Sequence, residues 1–193
     1  MKLLISTGEV SGDLQGSLLI KALKEEAEKR SINIEIRALG GKRMKERGAE
    51  LISDTSSIGA IGFIEAIPYI LPTLKAQSKI NDYLRHDPPD GVILIDYMGP
   101  NIKLGIKIKK LLPTIPIIYY IAPQEWAWRI GDGGTTDLIR FTDKILAIFE
   151  EEAKFYSFKG GNVHWVGHPM LDFYEKIPST EESLKKIGLS SEA

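Results

Sequence analysis

The chain has 193 residues, 43% hydrophobic and 26% charged, which suffices for one well-buried core. Its 25 Lys and Arg stand against 26 Asp and Glu, and the resulting charge of -1 excludes a global field that would recruit nucleic acid or an anionic surface. Cysteine is absent, which excludes disulfides, thiol nucleophiles and thiolate metal sites and is compatible with a reducing cytoplasm.

Taken in chain order, Lys2 to Thr7 reads as a strand that meets Gly8, Glu9 and Asp13 too soon to be the core of a signal peptide. The helical period of Leu18, Leu19, Ala22, Leu23 and Ala27 predicts a helix from about Leu14 to Arg30, with Asp13 as its N-cap. A strand over Ile32 to Leu39 follows, then a short helix from Lys42 to Arg47 that Gly48 ends as a left-handed C-cap. Ile58 to Leu74 is the most apolar stretch, but Glu65, Pro68 and Pro72 interrupt it, and it falls short of the roughly 20 apolar residues of a spanning helix. A helix broken near those prolines is expected over Ile61 to Arg85.

Further strands are expected at Gly91 to Asp96, Ile115 to Ile121, Lys144 to Ile148 and Asn162 to Val166. Helices are expected at Ile102 to Leu112, Asp137 to Phe141, Glu150 to Phe158 and Met170 to Lys176, with a last one capped by Thr180. Short apolar runs alternating with helical segments predict an α/β domain: a Rossmann-like parallel sheet with helices on both faces. Residues 1–178 form that domain, and 179–193 read as a linker or the start of a second one.

In an open parallel sheet, ligands bind beyond the carboxyl ends of the strands, so the residues after each strand carry the chemistry. After the first comes Gly8-Glu9-Val10-Ser11-Gly12-Asp13, whose glycines allow a tight turn and whose helix N-terminus favours an anion. It matches neither the dinucleotide G-x-G-x-x-G nor a P-loop. Ser11 or Asp13 fits a helix cap, whereas Glu9 has no such structural use and is the better candidate for a sugar hydroxyl or for base chemistry. Val92 to Ile95 runs into Asp96, an acid at a strand tip, with Asn101 as a structural amide or a substrate contact. Trp126 and Trp128 could stack on sugar rings or acyl chains, and Arg129 could grip a phosphate. His168, between Gly167 and Pro169, puts an imidazole at another strand tip. The histidines, His86, His164 and His168, are scattered and no Asp-x-Asp occurs, so no metal is expected.

Together these residues resemble the lipid-A-disaccharide synthase family, inverting glycosyltransferases of GT-B architecture, over the whole amino-terminal half. The resemblance rests on Gly8 to Asp13, Gly40-Gly41-Lys42-Arg43-Met44, Ile61-Gly62-Phe63-Ile64-Glu65, Ile95-Asp96 through Asn101, Trp126-Ala127-Trp128-Arg129 and Gly167-His168-Pro169. Each motif is short, but their common order along the chain is specific. Many members carry a second acid three residues after the first in the Ile-Asp motif, where this chain has Gly99, which leaves Asp96 as the acid there.

The resemblance implies transfer of 2,3-diacylglucosamine from UDP to 2,3-diacylglucosamine 1-phosphate through a β-1,6 bond. It implies Asp96 as general base, Glu9 orienting or assisting, and Gly8, Ser11, Gly12, Asp13, Asn101, Trp126, Trp128, Arg129 and His168 along the substrates. It also implies no metal or other cofactor, a UDP-sugar that is a substrate, and a cytoplasmic enzyme near the inner membrane, for which Ile58 to Leu74 is either a peripheral contact surface or a core helix pair beneath the sheet. The donor-nucleotide domain would lie beyond this chain, so the chain alone is expected to be inactive. The readings weighed against this are another GT-B sugar-nucleotide enzyme, such as an epimerase or a transferase with a soluble acceptor, and a non-catalytic binding module for an acyl sugar or nucleotide.

Overall fold

The computed structural model describes residues 1–55, 70–124, 127, 133–174 and 178–186. Among them, β1 (Lys2–Ser6), β2 (Glu35–Gly40), β3 (Glu50–Asp54), β4 (Gly91–Ile95), β5 (Ile117–Tyr120), β6 (Lys144–Ala147) and β7 (Val163–Trp165) form one sheet. Every pairing is parallel, in the order β3-β2-β1-β4-β5-β6-β7. The connecting helices are α1 (Val10–Lys29), α2 (Lys42–Glu46), α3 (Ile70–His86), α4 (Met98–Leu111), α5 (Gly133–Phe141) and α6 (Glu150–Phe158), followed by α7 (Leu171–Tyr174) and α8 (Thr180–Lys186).

Strand side chains alternate between two apolar layers, as the two-residue period requires. Leu4, Val92, Leu94, Ile117 and Ile145 face Ile80 and Leu84 of α3, Ile108 of α4, Leu138 of α5 and Tyr156 of α6. Leu3, Ile5, Ile36, Ile93 and Ile95 face the other way, onto Ile20 of α1 and Met44 of α2. Covered on both faces, β4 is buried at every position and reads Gly-Val-Ile-Leu-Ile without polar alternation. The chain winds from β1 to β3 in one direction, then crosses to β4 on the other side of β1. Strand order therefore reverses between β1 and β4, and a crevice opens there beyond their carboxyl ends.

Several expectations need correction. β3 escaped the sequence reading because it is a short edge strand, half-exposed and bounded by Glu50 and Asp54, that pairs only with β2. α1 begins at Val10, not Leu14, so Glu9 holds its N-cap position and Asp13 lies inside the helix. α4 begins at Met98, with Pro100 in its first turn, where a missing N–H costs nothing. In α8, Thr180 is the first helical residue, and the Ser179 carbonyl accepts the N–H of Ser183 at 2.9 Å. The part of the broken helix before Ile70 falls outside the described residues, as does the end of the helix expected to reach Lys176. Gly48, at φ 85, ends the short helix as expected.

Asp13 does not cap its own helix. Its carboxylate, 4% exposed, accepts the N–H groups of Gly41 at 2.8 Å, Arg43 at 3.0 Å and Met44 at 3.1 Å, and so caps α2. One buried acid thus satisfies the free donors of a helix that follows it by nearly thirty positions and seats Met44 in the core between α1 and β2. Asp13→Ala should cost about 3 kcal/mol of stability through the lost cap and stranded donors. Urea unfolding followed by circular dichroism checks this, and a change below about 1 kcal/mol would remove the capping role.

Candidate functional site at the strand-order reversal

The tips of β1 and β4 are neighbours in the sheet, so Glu9 and Asp96 come together there. At the β1 tip, Gly8 is the residue that makes room. A Cβ on it would overlap the Tyr97 ring, which crosses the turn at this point. Gly12 serves similarly, since a Cβ there would overlap the Thr7 hydroxyl. Both glycines are buried by this packing, so they shape the wall of the site more than they touch a ligand. Glu9 is extended at φ -134, its carbonyl accepts the Asp13 N–H at 2.8 Å, and its carboxylate lies 3.5 Å from the exposed Ser11 hydroxyl that donates to it.

At the β4 tip, Asp96 and Tyr97 both occupy the left-handed region, at φ 45 and 52. For residues with a Cβ this costs roughly 1–2 kcal/mol each and persists only where the surroundings impose it. Here the Asp96 N–H donates to the Ile121 carbonyl at 3.1 Å, and its carbonyl accepts from the Tyr119 hydroxyl at 2.7 Å and the Asn101 amide at 2.9 Å. Ile121, at the β5 tip, is itself left-handed at φ 57. The strained residues therefore lean on one another across adjacent strand ends.

Asn101, 1% exposed, spends its amide entirely inside the protein. Its nitrogen also donates to the Ile95 carbonyl at 3.0 Å and the Ser6 carbonyl at 3.3 Å, and its oxygen accepts the Ser6 hydroxyl at 2.7 Å. It ties β1 to β4 with every amide N–H it has, so the role that the structure gives it is a structural one. The role of Asp13 is structural likewise, because α2 consumes its carboxylate.

Burial, then the negative charge of Glu9, raises the Asp96 pKa above the ordinary carboxylate value, against the opposing hydrogen bond from the Tyr97 N–H. Burial and Glu9 also raise Tyr97. A carboxyl at the end of a buried strand whose proton is held more tightly than usual suits proton transfer. Glu152, which the sequence reading missed, is also buried. It accepts the N–H groups of Ile148 at 2.9 Å, Ala122 at 3.0 Å and Phe149 at 3.3 Å, and burial raises its pKa, with Asp96 adding to the shift. Its position three residues into α6 is the available signal, since an acid there can reach back to the N-cap backbone. Tyr156 donates to the Pro123 carbonyl at 2.8 Å, which completes the anchoring of the β5 exit.

Trp126, Trp128 and Arg129 lie outside the described residues. His168 follows β7, three strands from β4 and thus roughly 14 Å away across the sheet. It packs on Phe149 with ring centres 5.2 Å apart, and its Nδ1 accepts the Met170 N–H at 3.1 Å. It stands apart from the Asp96 pair. Among the described residues no three His, Asp or Glu side chains are grouped as metal ligands. On the α3 and α4 side of the crevice, a cavity of about 400 Å³ has a mainly apolar lining that includes Leu39, Ile80, Tyr97, Pro100 and Leu104.

The fold and this crevice define a Rossmann-like domain of GT-B type. UDP-GlcNAc 2-epimerase from Neisseria meningitidis superposes with a TM-score of 0.59 at 13% identity, over 97% of this chain and 54% of that one. The family model of lipid-A-disaccharide synthetase matches residues 3–192, and the chain belongs to that family. Lipid-A-disaccharide synthase of Prochlorococcus marinus is 59% identical over 189 residues, covering 98% of this chain and 48% of the relative. That of Gloeothece citriformis is 51% identical, covering 98% and 49%. The chain spans about half the length of the curated relatives it matches.

Because the folded-state pKa of Asp96 is raised, the folded protein binds more protons than the unfolded chain between the two pKa values. Asp96 therefore lowers stability as pH rises through that window, and the loss persists above it. Asp96→Asn should unfold at a higher urea concentration than the parent at pH 7, with the advantage shrinking as pH falls to the ordinary carboxylate range. A variant less stable than the parent at pH 7 would contradict the burial argument.

Proposed function

We propose that this chain is the acceptor-side half of a lipid-A-disaccharide synthase and that Asp96 is its general base. The observation that carries the reading is the half-buried, left-handed Asp96 beside Glu9 where the strand order reverses, in a chain of this family. The acceptor is a 2,3-diacylglucosamine 1-phosphate and the donor a UDP-linked 2,3-diacylglucosamine. The acceptor 6-hydroxyl attacks the anomeric carbon, its proton passes to the Asp96 carboxylate, and the bond from that carbon to the UDP oxygen breaks. UDP leaves with the bonding electrons, and the single displacement inverts the anomeric centre.

Glu9 and Ser11 orient the acceptor hydroxyls, and Glu9 raises the proton affinity of its neighbour. The mainly apolar cavity beside Tyr97 supports a lipid-bearing acceptor, since an alkyl chain entering it leaves water. Trp126, Trp128, Arg129 and His168 are assigned to substrate contacts. Cationic groups and helix N-termini, most of them in a second, donor-nucleotide domain, neutralise the departing pyrophosphate without a metal. The protein works on the cytoplasmic side and touches the inner membrane through the segment 58–74. No helix among the described residues is long and apolar enough to cross a membrane.

In the full-length protein, Asp96→Asn should lower transfer by at least about a hundredfold. Acceptor binding should remain within a few-fold, as measured by mass spectrometry of product and by direct titration. Wild-type turnover in this variant would end the base assignment. Transfer should also be unchanged after dialysis against EDTA, and loss of activity restored by magnesium would overturn the metal-free reading.

A further inference from the structure

Tyr119 lies on β5, fully buried, in a layer otherwise filled by Ile117, Leu94 and Phe141. A phenylalanine would fill the same space, so the hydroxyl needs its own explanation. It donates at 2.7 Å to the carbonyl of Asp96, and the Asn101 amide reaches the same oxygen at 2.9 Å from α4. The Asp96 N–H on the other side of the residue is held by Ile121. The peptide after Asp96 is thus gripped from two elements, at the one place among the described residues where consecutive residues with side chains are left-handed. A relaxed backbone there would turn the carboxylate away from Glu9, because the direction of the Cβ follows φ and ψ.

We propose that Tyr119 and Asn101 are positioning residues that clamp the Asp96 carbonyl and thereby fix its carboxylate beside Glu9 at the strand-order reversal. The assignment rests on the reading of Asp96 as base, but the clamp itself is a statement about geometry. The Tyr119 hydroxyl and the Asn101 amide nitrogen are spent on backbone carbonyls. Tyr119 acts from the buried layer beneath the crevice, and Asn101 from the first turn of α4. Among the described residues the charge that acts on Asp96 is that of Glu9 at the start of α1, opposed by the backbone N–H of Tyr97, and Asp96 in turn acts on Glu152 of α6. Released from the clamp, the carboxyl would move toward water and away from Glu9.

The test uses the full-length protein with Tyr119→Phe, which keeps the packing, and Asn101→Ala, which removes the second arm. Ile20→Val in the opposite layer serves as a control for simple loss of stability. Carbon-13 NMR of labelled aspartate, with Asp96→Asn to assign the signal, follows the titration of the Asp96 carboxyl, and steady-state transfer gives kcat and acceptor KM. Tyr119→Phe should shift the titration toward the ordinary carboxylate value and lower kcat by about tenfold to a hundredfold, with KM little changed. Ile20→Val should lower the unfolding temperature and move neither. An unchanged Asp96 titration in Tyr119→Phe overturns the clamp, whether or not Asn101→Ala folds. Wild-type turnover in Asp96→Asn would instead overturn the base assignment, leaving the NMR result to decide the clamp.

Discussion

The side-chain amide of Asn101 joins two strands that the topology sends apart. β1 leads leftward through α1 and β4 leads rightward through α4, so no backbone ladder continues beyond their tips, and a crevice opens between them. The amide bridges Ser6 on one side with Ile95 and Asp96 on the other, in a place closed to water. A buried amide left without such partners would be costly, so its satisfaction and the strand geometry depend on each other. The left-handed turn at Asp96, the Tyr97 ring over Gly8, and Glu9 all gather around that tie.

The acids at this end of the sheet, Asp13 and Glu152 buried and Asp96 half-buried, differ in what their surroundings leave them. Asp13 receives three backbone donors and is consumed in capping α2. Glu152 receives three as well and pins the exits of β5 and β6. Asp96 has a single backbone donor, from Tyr97, against its burial and the charge of Glu9. Its charge is the least compensated, and an acid that folding leaves under-solvated is free to bind a proton during a reaction. Strained backbone and uncompensated charge coincide at the same residue, as expected where stability is given up for function.

Much of the scaffold could be read from local pattern. The buried strands have no polar alternation, so β4 and β1 stand out as short apolar runs, and α6 was legible from end to end because its apolar period and acidic first turn agree. β3 was not legible, because an edge strand half-open to solvent needs little hydrophobic sequence. The start of α1 was misjudged because Asp13 has the chemistry of an N-cap. Local preference could not reveal that the donors it serves belong to α2.

Sequence alone determined the fold class, the family and the acids that stand at strand tips, because apolar period, turn residues and motif order are local properties of the chain. Only the tertiary structure decided which of those acids caps a helix and which stands half-buried at a strand tip with a single backbone donor. It showed that Asn101 ties two strands together, that His168 lies apart from Asp96, and that Tyr119 and Glu152 bond to the backbone at the strand tips. The reason is that a side chain's role is set by the partners its burial leaves it, and at a parallel-sheet edge those partners come from distant segments of sequence.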